Sequence, residues 1–151
     1  MTEDGQLDLD AFKTLLSPRT KLVGVTHVSN ALGTVNNLKE IKSLINKANP
    51  EIKLLVDGSQ AVVHRPVNID GIDCDFYVFT GHKLYGPTGI GVLWGRYELL
   101  ERMPPYQGGG DMISHVSWDR TAWNVLPYKF EAGTPHIEGA IGLGVAIDWV
   151  N

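Results

Sequence analysis

The chain has 151 residues, 43% of them hydrophobic and 20% charged, an ordinary composition for one globular core. Thirteen basic against seventeen acidic residues leave a formal charge of −4 with no run of like charges, which argues against a nucleic-acid partner. No apolar stretch reaches bilayer length, the start Met1-Thr2-Glu3-Asp4-Gly5 lacks a signal-peptide pattern, and the lone Cys74 rules out an internal disulfide, so the expectation is no membrane association and a cytoplasmic location.

Leu7, Leu9, Phe12, Leu15 and Leu16, with Asp8 and Asp10 ahead, predict a short helix ending before Pro18. Leu22 to Val28 reads as a strand whose end is marked by Ser29-Asn30. From Asn37 to Ala48, the residues Leu38, Ile41, Leu44, Ile45 and Ala48 share one helical face, and Asn49-Pro50 stops the helix. Leu54-Leu55-Val56 is the next strand. Strand, helix, strand in that order is a βαβ unit, so the two strands are expected to be parallel. Phe76 to Thr80 adds a third strand, and Gly89 to Trp94 a fourth, joined by a link too short for a helical crossover and therefore antiparallel. Tyr97 to Met103 predicts about two helical turns before Pro104-Pro105. Signals weaken from Pro104 to Pro135, where Trp118 and Trp123 in a polar stretch suggest packing on another surface, such as a second subunit. Ile137 to Val150 is a helix rich in Gly and Ala, suited to close packing.

Chemistry concentrates around Lys83. An aromatic, β-branched strand breaks at Gly81, offers His82-Lys83, and is followed by the Pro87-Thr88-Gly89 turn and a second apolar strand. Apolar residues on both sides would partly desolvate the Lys83 ammonium and favour the nucleophilic amine that Schiff-base chemistry requires; the alternative is a solvated surface lysine. Asp57-Gly58-Ser59-Gln60 puts a carboxylate and an amide where a parallel strand ends, and open α/β sheets bind ligands at such ends. Asp57 could equally be a helix N-cap, Gln60 a helix-surface residue and His82 an ordinary hydrogen-bonded histidine. Walker, dinucleotide-binding, HExxH and serine-hydrolase patterns are all absent.

Asp57-Gly58-Ser59-Gln60 followed by Thr80-Gly81-His82-Lys83 resembles the cofactor site of fold-type-I pyridoxal-phosphate enzymes of the class V aminotransferase group, most closely the SufS-type cysteine desulfurases. The likeness extends over Asp4 to Trp149 and includes Thr26-His27-Val28-Ser29-Asn30-Ala31-Leu32-Gly33-Thr34, Gly108-Gly109-Gly110-Asp111-Met112-Ile113 and Phe130-Glu131-Ala132-Gly133-Thr134-Pro135.

The resemblance implies an α/β chain forming part of a mixed, mostly parallel sheet in a pyridoxal-phosphate large domain, with an N-terminal portion and a C-terminal small domain lying outside residues 1–151. It implies Lys83 as the Schiff-base lysine and proton shuttle, Asp57 as partner of the pyridine nitrogen, and Gln60 as donor to the phenolic oxygen. Thr80 and His82 would be phosphate ligands, Asn30 would line the cofactor and substrate side, and Thr134 would reach the phosphate across a dimer interface. No metal is expected. Cys74 reads as structural, because Asp73 and Asp75 flank it and a thiolate there is disfavoured. The implied reaction of a full-length enzyme takes L-cysteine to L-alanine, with sulfane sulfur passed to an acceptor protein of iron–sulfur cluster assembly. These residues alone are expected to be inactive. The alternatives are a selenocysteine lyase, kynureninase-like enzyme or aminotransferase on the same fold, or a non-catalytic interaction module.

Overall fold

The computed structural model describes residues 1–151. Asp8 opens helix α1 (Leu9–Leu15) by accepting the Ala11 N–H, the N-cap bond that a short acidic side chain supplies to an otherwise orphaned donor. Strand β1 (Leu22–Thr26) follows and leads into helix α2 (Leu38–Ala48), which Asn37 caps through the Glu40 N–H. Strand β2 (Lys53–Asp57), the short helices α3 (Ala61–His64) and α4 (Ile69–Ile72), and strand β3 (Phe76–Thr80) complete the parallel part. Strand β4 (Gly91–Gly95) precedes helix α5 (Tyr97–Arg102), a small hairpin of β5 (Ile113–Val116) and β6 (Thr121–Trp123), and helix α6 (Ile137–Val150).

The main sheet has the order β1-β2-β3-β4, with β1, β2 and β3 parallel and β4 antiparallel to β3. The register sets Thr26 beside Asp57 and Asp57 beside Val78, which aligns the carboxyl ends of the three parallel strands. Alternation along each strand then divides the sheet. Leu54, Val56 and Tyr77 point to one face, where they pack with Leu38, Ile41 and Ile45 of α2 and with Ile52, Ile72 and Cys74; Leu9 and Phe12 of α1 close the edge of this cluster. Complete burial of side chains such as Ile45 and Leu54 contributes about 1.5–3 kcal/mol each, which makes this face the anchor of the fold. The other face carries Asp57, Val78 and Thr80, all half-buried, and leaves Leu22 and Leu93 exposed.

Several expectations shift in detail. The first strand stops at Thr26 rather than Val28, because His27 and Val28 turn into a short loop closed by a bridge between Val28 and Val35. Ala48, placed on the buried face of α2 by periodicity, is exposed in the last turn. Lys42, on the same helix, is buried instead: its ammonium donates to Asp75 Oδ2 at 2.9 Å. Within 104–135, where patterning is faint, the chain forms the β5–β6 hairpin, and Trp118 stands fully exposed at its turn.

Candidate functional site

Asp57 is the last residue of β2, and its orientation is fixed from several sides. Its carbonyl accepts the His27 N–H at 2.8 Å, the next amide, Gly58, donates to the Val78 carbonyl at 2.8 Å, and carboxylate Oδ1 accepts the Ser59 N–H at 2.9 Å. Asp57 therefore does cap a turn, leaving its other carboxylate oxygen without a protein donor. Gln60 stands at the start of α3, half-buried, and makes no capping bond.

At the end of β3 the chain enters a single 3-10 turn, Gly81–Lys83. Gly81 N–H donates to Ile90 O at 2.9 Å, and both Leu84 N–H and Gly86 N–H return to Gly81 O. A Cβ at Gly81 would press on Ile90 Cγ2 at 2.8 Å and on two carbonyls, so only glycine admits this close fold-back. Tyr85 takes φ 58° just beyond, a strained value for a bulky residue and of the kind that clusters at functional sites. The result is a tight loop that presents His82 and Lys83 beside the sheet end. Thr80 Oγ1 and His82 Nδ1 are hydrogen-bonded at 2.9 Å, and Lys83 is half-buried with no carboxylate in ion-pair range.

Asn30, in the turn after β1, is exposed, as is Thr134, three residues before α6. Asp57, Gln60, Thr80, His82 and Lys83 thus gather at the carboxyl ends of adjacent strands, with Asn30 in the turn beyond the third. Thr134 lies on a separate segment and makes no hydrogen bond with the others; the α6 N-cap, His136, lies against Gly89 of the lysine loop. Cys74 is apart from all of these. It lies fully buried on the helix-covered face, and that burial, helped by the Asp75 charge, pushes its thiol up from the usual value.

Sequence reasoning overlooked two residues behind the site. His27 and Tyr77 are buried on the helix-covered face, edge to face, with His27 Nδ1 and the Tyr77 hydroxyl 3.0 Å apart. They are fifty positions apart in sequence, and no local pattern couples them; the only signal was a histidine in an apolar strand end. A polar depression of about 430 Å³ beside His27, bounded by Asn36, Lys39, Arg65 and Asn68, takes in none of the candidate residues.

The family profile described as aminotransferase class-V matches residues 1–151. The chain belongs to the aminotransferase class-V family. It is 56% identical over 147 residues, or 97% of its length, to a probable cysteine desulfurase of Xylella fastidiosa strain Temecula1, and 55% identical over all of its length to a cysteine desulfurase of Dickeya dadantii. It spans 35% and 36% of those two relatives. Among solved structures, the cysteine desulfurase CsdA of Escherichia coli superposes with TM-score 0.89 at 43% identity, over 95% of this chain and 35% of that one. The apo cysteine desulfurase of Thermococcus onnurineus NA1 gives TM-score 0.89 at 39% identity, over 99% and 37%. A C-DES variant with glycine covalently linked to its pyridoxal-phosphate cofactor gives TM-score 0.82 at 27% identity, over 94% and 38%.

Pyridoxal phosphate is the cofactor of this family, and the donor set of this class V chain fits it. The cofactor has a basic ring nitrogen, a phenolic oxygen, an aldehyde carbon and a dianionic phosphate; the site offers a carboxylate with a free oxygen, an amide, an amine, and a hydroxyl–imidazole pair.

Proposed function

We propose that the full-length protein carrying this chain is a pyridoxal-phosphate-dependent cysteine desulfurase, and that residues 1–151 are the middle of its large domain, with an N-terminal portion and a small domain supplied by the remainder. The observation that carries this is the pairing of Lys83, on a folded-back loop, with Asp57 at the adjacent strand end, within a chain 56% identical to a cysteine desulfurase. The reaction converts L-cysteine to L-alanine and passes sulfane sulfur to an acceptor protein of iron–sulfur cluster assembly. The enzyme acts as a cytoplasmic homodimer. No helix is long and apolar enough to cross a membrane.

When bound, the cofactor withdraws electron density from the bonds at the substrate α-carbon. Asp57 would place its carboxylate beside the ring nitrogen and favour that nitrogen's protonated form. Gln60 would donate from its amide to the phenolic oxygen, while Thr80 and His82 would hold the phosphate, their mutual hydrogen bond fixing both side chains. Lys83 Nζ would hold the cofactor and would be the amine that moves a proton at the substrate α-carbon. Asn30 would line the substrate side, and Thr134 would reach the phosphate held by a neighbouring protomer. Cys74 is no sulfur carrier: it is fully buried, its thiol is held protonated, and it lies on the sheet face opposite Asp57. The sulfur-accepting cysteine then belongs to another segment of the full-length protein.

Borohydride reduction of the holoenzyme, followed by peptide mass analysis, tests the assignment. The pyridoxyl mass is expected on the peptide containing Lys83; label on a different lysine overturns the site, and no label at all favours a non-catalytic module.

A further inference from the structure

We propose that His27 and Tyr77 are positioning residues for Asp57, holding the Asp57-Gly58 turn from the helix-covered face of the sheet so that the carboxylate on the other face is aimed at the cofactor ring. The proposal rests on the assignment of Asp57 made above, and it deepens that assignment by naming what fixes its geometry.

Three contacts converge on the turn. The His27 N–H donates to the Asp57 carbonyl at 2.8 Å, so His27 holds the backbone of the residue it serves. The His27 imidazole meets the Tyr77 hydroxyl at 3.0 Å, the two rings standing at 90° with centroids 6.1 Å apart. The Tyr77 ring in turn occupies the space beside Gly58: a Cβ built on Gly58 would fall on Tyr77 Cε1, Cζ and Oη. Gly58 is therefore wedged between the tyrosine ring and its own bond to the Val78 carbonyl. A swing of the Tyr77 side chain about χ1 would release the turn, and the hydrogen bond made at Oη to His27 opposes that swing.

The chemistry of the pair suits a fixed support. Tyr77 is 2% exposed and His27 7%, and each is the other's only side-chain partner. Burial, with the nearby Arg65 charge adding to it, lowers the affinity of His27 for a proton, and burial keeps the Tyr77 phenol protonated far above neutral pH. Both partners are uncharged, and with the Tyr77 hydroxyl buried the bond between them is stronger than the same bond in water. A phenylalanine at 77 would keep Cε1 and Cζ beside Gly58 and lose only Oη and its restraint, which separates positioning from packing.

The test uses the full-length holoenzyme with Tyr77→Phe, His27→Leu, His27→Asn and Asp57→Asn. Readouts are kcat and KM, the visible absorption spectrum of the bound cofactor across pH, pyridoxal-phosphate affinity of the apo-protein, and deuterium exchange at the Gly58 amide. Tyr77→Phe is expected to lower kcat about tenfold, the effect of one buried hydrogen bond, with KM nearly unchanged. It should also shift the pH dependence of the cofactor band and speed exchange at Gly58. His27→Leu should do the same. His27→Asn, whose amide reaches the position of Nδ1, should restore most of the loss. Wild-type spectra and kcat in Tyr77→Phe, with Asp57→Asn crippled, overturn the positioning role and leave the Asp57 assignment standing. Wild-type behaviour in Asp57→Asn overturns that assignment itself. Should His27→Leu fail to fold, Tyr77→Phe, which removes one oxygen atom, decides the matter alone.

Discussion

Replacing Asp75 by alanine should loosen the whole parallel sheet, although the residue lies far from the chemistry. Asp75 is 5% exposed and precedes β3; its Oδ2 accepts both the Lys42 ammonium at 2.9 Å and the Leu54 N–H at 2.8 Å, with Arg96 Nε 3.7 Å from Oδ1. One carboxylate thus ties α2, the start of β2 and the start of α5 together. In Asp75→Ala, Lys42 becomes a buried charge without a partner and the Leu54 N–H loses its acceptor. Breaking a buried pair from one side costs about 3–5 kcal/mol. Lys42→Met should cost less, about 1–2 kcal/mol, because Asp75 keeps the Leu54 N–H and Arg96. Native-state hydrogen exchange on β2 peptides of the full-length protein measures this. At about 1.4 kcal/mol per factor of ten, protection should fall at least about a hundredfold in Asp75→Ala and about tenfold in Lys42→Met. Equal effects, or a drop under tenfold in Asp75→Ala, would refute the reasoning that this carboxylate is the hub.

Asp57→Ala should leave the full-length enzyme folded by circular dichroism but lower kcat/KM by several orders of magnitude, with Asp57→Glu retaining part of the activity; wild-type turnover in Asp57→Ala would show that another group serves the ring nitrogen. Cys74 should resist iodoacetamide in the folded protein between pH 7 and 9 and react once denaturant is added. Its thiol pKa is raised above the usual 9.0 chiefly by burial, so the folded state keeps a proton that the unfolded state gives up. The stability linked to this group is thus full below pH 9 and declines above it, which alkaline denaturation of wild type against Cys74→Ala would check. The 151 residues alone, supplied with pyridoxal phosphate and L-cysteine, should form no alanine beyond a free-cofactor control, since catalytic groups act as a unit. Alanine well above the control and abolished by Lys83→Ala would overturn that.

The strands and their directions were legible because each is a short apolar run bounded by a turn, and because the link from Thr80 to Gly91 is too short to cross over. Helix α6 was legible to its ends. The β5–β6 hairpin was not: its strands have four and three residues, mostly exposed, so no alternation marks them. The burial of Lys42 was not legible, because a lysine on an amphipathic helix is ordinarily at the surface and its partner is thirty-three positions away. Asn30, Asp57, Gln60, Thr80, His82 and Lys83 stand out in the sequence as polar groups at strand ends, whereas Thr134 entered only through the family resemblance. The His27–Tyr77 pair behind them was invisible, since only the register of β1 against β2 and of β2 against β3 brings those residues together.

The strand order β1-β2-β3-β4 bears on how such a chain comes into being on the ribosome. Every strand pairs with the one made just before it, so none waits for a later segment to occupy its edge. Loop closure between neighbours is brief, and the buried cluster draws on α1, α2 and α4, all synthesised before β3 is finished. Asp57 and Tyr77 can then reach their register before the segments beyond β3 are made, whereas the Lys83 turn closes only once Ile90 can accept the Gly81 N–H. The scaffold of the lysine site can form vectorially, as an early unit on which the remainder of the enzyme assembles.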